Sequence, residues 1–186
     1  FKEDPVFFSR LFSFPRACVG ILLLISLLMS ACGTTFQATS TTSGPVQVVA
    51  AENFWGSIAA QVGGSHVHVT SIITDPNADP HSYEPTAADA RTVAQAQYVI
   101  INGAGYDPWA DKLLQANPAR GRKELSVGEF NNKHAGDNPH MWYNPDYVTA
   151  VVKKIRDDLK ALDAADANVF DQSAQTFLTT SLKQYH

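Results

Sequence analysis

"VQVVAAENFWGSIAAQVGGSHVHVTSII", residues 46–73, passes through three hydrophobic patterns in succession. "VQVVAAE" (46–52) reads as a short apolar strand. In "NFWGSIAAQVGG" (53–64) the period changes: Phe54, Ile58 and Val62 fall on one helical face, and Gly63-Gly64 stops the run. "HVHVTSII" (66–73) returns to alternation, which predicts a second strand with His66 and His68 exposed on the face opposite Val67 and Val69. Two strands joined by a helix form the unit of a parallel sheet, because a parallel neighbour can be reached only through a crossover.

The same alternation continues downstream. Thr86 and Asp89 fit a capping box that opens the helix "AADARTVAQAQ". "YVIIN" (98–102) is continuously apolar, as expected of a parallel strand covered on both faces. "NGAGYDPWADKLLQAN" (102–117) pairs a Gly-rich turn with a helix start, Asp107 as N-cap and Pro108 in the first helical position. "KELSV" predicts a fourth strand. "NPDYVTAVVKKIRDDLKAL" (144–162) places Val148, Val151, Ile155, Leu159 and Leu162 on one helical face, and "DAADANVFDQSAQTFLTTSLKQYH" begins another helix. The fold class is α/β, a parallel sheet flanked by helices.

In such sheets ligands collect in loops beyond the carboxyl ends of the strands. Two of those loops share one device. "ADPHSYEPT" (78–86) holds His81 between Pro80 and Pro85, and "DNPHMWYNP" (137–145) holds His140 between Pro139 and Pro145. Proline removes backbone freedom, so both imidazoles sit on stiffened chain and a ligand that uses them meets a smaller ordering cost. Neutral imidazole suits zinc, and together with carboxylates it accepts manganese. Ligation displaces protons from imidazolium, so affinity should fall below about pH 6.

Ahead of the folded part, residues 1–31 carry Arg10 and Arg16, the apolar run "ACVGILLLISLLM" (17–29) and then "SAC". That run is shorter than the ~20 apolar residues of a membrane span, and the pattern reads as a secretory signal. "LLMSAC" resembles the lipobox of bacterial lipoproteins, with Met29 where leucine is usual. The resemblance implies a lipidated Cys32 and attachment to the membrane on the extracytoplasmic side. Residues 32–45 ("CGTTFQATSTTSGP") are small and nearly uncharged, and they read as a flexible tether. Cys18 leaves with the signal and Cys32 is consumed by lipid, so no disulfide is expected. The chain carries −4 overall; Lys2, Arg10 and Arg16 outweigh Glu3 and Asp4 by one, which leaves −5 from residue 32 onward. With no basic patch, a nucleic-acid partner is not expected.

"AAENFWGSIAAQVGG", "PNADPHSYEPTAADA", "INGAGYDPWADKLL" and "NPHMWYNP", in this order across residues 46–186, resemble the N-terminal lobe of the zinc- and manganese-binding lipoproteins that serve ABC importers. The resemblance implies two α/β lobes joined by one long helix, with Zn2+ or Mn2+ held in the cleft between them. It implies that His81 and His140 are the ligands from the first lobe, and that a His or Glu and an Asp complete the set from beyond His186. The chain stops within what resembles the approach to the joining helix. The partners implied are the permease and ATPase of a metal importer.

Other readings attach to particular residues. Glu84, three residues after His81, could orient an imidazole or serve the dipole of the helix that follows; Asp79 could likewise be a turn residue only. His134 reads as a solvated loop residue. Trp55, Trp109 and Trp142 read as packing residues, Trp142 also walling the cleft. A metal-dependent hydrolase using His81, His140 and Glu84 is an alternative, though no H-E-x-x-H pair is present. A surface adhesin that uses the fold as a platform is another.

Overall fold

The computed structural model describes residues 44–185. The signal, Cys32 and nearly all of the tether lie outside the described residues. Four parallel strands, β1 (Val46–Glu52), β2 (Val67–Ile73), β3 (Tyr98–Ile101) and β4 (Lys123–Ser126), form one sheet in the order β2-β1-β3-β4. Val48 faces Val69 on one side and Tyr98 on the other, and Ile100 faces Leu125. The helices are α1 (Asn53–Gly63), α2 (Ala87–Gln95), α3 (Pro108–Ala116), the single turn α4 (Val127–Phe130), α5 (Pro145–Leu162) and α6 (Ala167–Thr176).

Alternation along each strand builds two cores. Val46, Val48, Ala50, Tyr98 and Ile100 pack with Trp55 and Val62 of α1, Val151 and Ile155 of α5, and Phe170 of α6. Val49, Ala51, Val99 and Ile101 point the other way, against Val93, Trp109 and Leu113 from α2 and α3. The crossover from β1 to β2 runs in the opposite direction to that from β2 to β3. A constant handedness therefore sends α1 and α2 to opposite faces, where the two cores place them. The chain reverses at β1, so a crevice opens beyond the carboxyl ends of β1 and β3.

Most local expectations hold. Thr86 Oγ1 accepts from Asp89 N while the Asp89 carboxylate accepts from Thr86 N, a complete capping box. Residues 123–126 form the fourth strand. On α5 Val148, Val151, Ile155 and Leu159 of the expected apolar face are buried and Leu162 is half-buried, and Asp158 is buried on the same helix at 3% exposure. Its carboxylate accepts from Tyr98 Oη at 2.9 Å and from Lys154 Nζ at 2.6 Å, which removes the cost of an unpaired buried charge. Asn144 caps α5, its Oδ1 accepting from Asp146 N at 2.8 Å. Asn144→Ala should cost about 1 kcal/mol of stability, read as a lower urea midpoint with an unchanged slope.

Two expectations fail. His66 is not on an exposed strand face: the chain tightens into a 3-10 turn over Gly64–His66 before β2 begins, and the imidazole packs edge-on against Phe170. Asp107 occupies the N-cap position of α3, but its side chain makes no capping bond to that helix. Its carboxylate instead turns back to accept from Asn102 N and Gly103 N, each at 2.7 Å.

Candidate metal centre

The crevice loops grow from the ends of three strands. After β3 the chain passes through Gly103, Ala104 and Gly105 with φ of 69°, 54° and 80°. Three successive left-handed residues favour glycine, and Ala104 holds its conformation at a cost of roughly 1 kcal/mol. The Asp107 carboxylate offsets that cost by accepting the two N–H groups at the start of the turn. The result is a rigid arch that holds Tyr106 over the crevice.

His81, after β2, and His140, after β4 and α4, both pack against Tyr106. Their ring centroids lie 5.0 Å and 5.9 Å from that of Tyr106, both edge-on. Trp142 lies 5.1 Å from His140 and stacks on Phe54 at 4.1 Å. Trp142 thus packs beside His140. Both histidines are exposed. Among the described residues no third ligating side chain groups with these two.

Each histidine is oriented by the Asx residue two positions before it. Asp79 Oδ1 faces both His81 N and His81 Nδ1 at 3.0 Å. Asn138 Oδ1 faces His140 N at 3.0 Å and His140 Nδ1 at 2.8 Å. A backbone N–H can only donate, so the Asn138 atom that meets it is the amide oxygen. The same oxygen meets Nδ1, which must therefore carry the proton. In the neutral ring of either loop this leaves the Nε2 lone pair to bind a cation. Hydrogen bonds from His81 hold the Asp79 carboxyl below the usual range.

The prolines between Asx and His are held as well. Pro80 O accepts from Trp109 Nε1 at 3.0 Å, and Pro139 O accepts from Asn102 Nδ2 at 3.1 Å. Asn102 is fully buried and its Oδ1 accepts from Trp55 Nε1 at 2.9 Å. Trp109 and Trp55 are therefore more than packing residues: one fixes the His81 loop directly, and the other fixes the side chain that holds the His140 loop. Glu84 is exposed and accepts no hydrogen bond from either ring; the acceptor that orients His81 is Asp79. His134 is exposed in its loop, as expected.

Glu52, at the end of β1, lies beneath the crevice at 1% exposure, and neither of its oxygens has a hydrogen-bond partner. Burial, and then the charge of Asp107, push its pKa up to about 10, so it stays protonated at neutral pH. Burial also raises the Tyr106 phenol, with Glu52, Asp107 and Asp79 adding to the shift. The crevice is thus bordered by a neutral carboxyl below and a neutral phenol above, and the Nε2 atoms of His81 and His140 are its electron-pair donors toward a cation.

Comparison with known proteins bears on the family and the fold. Residues 48–186 match the family described as zinc-uptake complex component A, periplasmic. Over 166 residues the chain is 25% identical to the manganese-binding lipoprotein MntA of Halalkalibacterium halodurans, covering 85% of this chain and 53% of that protein. Zn(II)-bound AdcA from Streptococcus pneumoniae superimposes with a TM-score of 0.65 at 22% identity, over 76% of this chain and 31% of AdcA. The Mn-bound periplasmic metal-binding protein from Candidatus Liberibacter asiaticus superimposes with a TM-score of 0.63 at 25% identity, over 72% of this chain and 52% of that one. The chain spans about half the length of the curated relatives it matches.

Proposed function

The chain belongs to the family of periplasmic zinc-uptake components, and on that premise we propose that it supplies the histidine half of a metal-capture site that feeds an ABC importer. The observation that carries the reading is the paired Asx-Pro-His arrangement, in which an Asx oxygen meets each Nδ1 and so directs Nε2 of the neutral ring to a ligand. The cargo is Zn2+ or Mn2+. Two imidazoles serve either ion, and the choice falls to the remaining ligands: a third imidazole favours zinc, a carboxylate pair favours manganese. Those ligands, a His or Glu and an Asp, belong to a second lobe. The partners are the permease and ATPase of the importer, and lipidated Cys32 holds the protein at the extracytoplasmic membrane face.

Capture rather than catalysis follows from the coordination. A hydrolytic zinc site keeps one position open for an activated water, whereas a site filled by four protein ligands leaves none. Release then requires the lobes to move apart, and docking on the permease would favour that arrangement. The hydrolase reading loses the carboxylate it named, since Glu84 is exposed and makes no hydrogen bond to either ring, and no observation favours the adhesin reading.

The orienting residues supply the test. Asp79→Ala and Asn138→Ala should each weaken zinc binding at the histidine pair by about 10–100-fold, the usual effect of removing a group that positions a ligating imidazole. A titration followed by imidazole 15N resonances reads it directly. In the parent, Zn2+ or Mn2+ should perturb the Nε2 signals of His81 and His140 together. If neither signal responds to either ion, the capture site is not here.

A further inference from the structure

His66, Asp163 and Asp166 come together on the α1–α5–α6 side of the sheet, in loops other than those of the crevice. His66 closes the turn before β2, Asp163 follows α5 directly, and Asp166 precedes α6. One ligand atom from each lies within 4.8 Å of the other two. His66 Nδ1 sits 2.6 Å from Asp166 Oδ2, and Phe170 holds the imidazole plane from the side, with ring centroids 6.0 Å apart. The third member is the informative one. Asp163 is only 9% exposed, yet its carboxylate has no hydrogen bond or ion pair among the described residues. Its oxygens keep contact with solvent and stand open, and one of them lies within 4.8 Å of an imidazole–carboxylate pair that offers two more metal-ligating atoms.

We propose that these three side chains form a second divalent-cation site, distinct from the His81–His140 pair and independent of the capture reading. One nitrogen and two carboxylate oxygens suit Zn2+ or Mn2+, with water completing the coordination. Mg2+ and Ca2+, which prefer all-oxygen sets, are disfavoured by the imidazole. The ion replaces the proton shared between His66 Nδ1 and Asp166 Oδ2, and that proton leaves to solvent. Zinc–ligand bonds of about 2.0–2.2 Å need the three atoms closer together than 4.8 Å, a contraction that side-chain rotation can supply. Once bound, the ion neutralises Asp163 and staples the α5–α6 corner to the entry of β2. Binding to the folded state alone then raises the melting temperature.

The test uses the full chain carrying His81→Ala and His140→Ala, with Zn2+ as the probe. Bound metal is measured by equilibrium dialysis, and stability by thermal melting. The expected result is one zinc per chain and a zinc-dependent rise in melting temperature. Both should be lost on adding either Asp163→Asn or His66→Gln. Without metal, the Asp163→Asn chain should melt no lower than its parent, because its carboxylate gives up no hydrogen bond or ion pair among the described residues. The proposal is overturned if the His81→Ala/His140→Ala chain binds no zinc, or if its zinc survives both further substitutions.

Discussion

Glu52→Gln should stabilise the protein at neutral and alkaline pH, by an amount that grows by about 1.4 kcal/mol for each pH unit between roughly pH 5 and pH 9. The folded state holds the Glu52 proton up to about pH 10, whereas the ordinary carboxyl value is 4.5. Between those values the folded state binds one more proton than the unfolded state. Unfolding releases it, and raising the pH favours unfolding. The stability associated with a protonated Glu52 is therefore complete below about pH 4.5 and is lost progressively as pH rises toward 10. Glutamine fills the same volume without a titrating proton, so the variant escapes the slope. At pH 7 the difference amounts to roughly 3 kcal/mol, a large share of the 5–15 kcal/mol that holds a typical domain together. Urea unfolding of both chains from pH 5 to pH 9 reads the effect as a widening gap. Parallel stability curves would show that Glu52 ionises like a surface carboxyl, against its burial.

The second large effect concerns binding. Replacing His81 or His140 with alanine should each remove zinc from the crevice. Structural zinc sites with four protein ligands bind with ~10–16 kcal/mol, so one ligand accounts for roughly 2.5–4 kcal/mol, or about 10²–10³ in affinity. A site to which the described residues contribute only two ligands has little margin to absorb such a loss. Loss of the zinc-induced Nε2 shift at the remaining histidine is the expected signature. Either single variant keeping that shift at unchanged zinc concentration would mean that the two imidazoles do not share an ion. The folded state should survive both changes, because the rings are exposed and their loops are held through Pro80 O and Pro139 O rather than through the imidazoles.

The histidines themselves were legible in the sequence. Each stands beside a proline in a loop that follows a strand, and such loops gather at one end of a parallel sheet. The Asx partners were also within reach. Asp79 and Asn138 both lie two residues before a histidine and next to a proline, and an Asx side chain that bonds backbone two residues on is a local turn habit. The repetition of Asx-Pro-His was the available signal. Asp107 misled for a related reason: an acid before Pro108 is an ordinary helix cap, but the left-handed turn at 103–105 leaves two nearby N–H groups that only this carboxylate satisfies.

What the sequence determined by itself is what short-range rules govern: the period of each element, the helix starts at Thr86 and Asn144, the parallel order of strand and helix, and the two stiffened histidines. These follow from steric and hydrogen-bonding preferences that act over a few residues. The tertiary structure alone decided that Glu52 is buried and neutral, that Trp109 and Asn102 grip prolines 29 and 37 residues away, and that His66 meets Asp166 across 100 residues. Burial, and the electrostatics that burial amplifies, depend on which surfaces the packed sheet and helices bring together, and no local pattern carries that information.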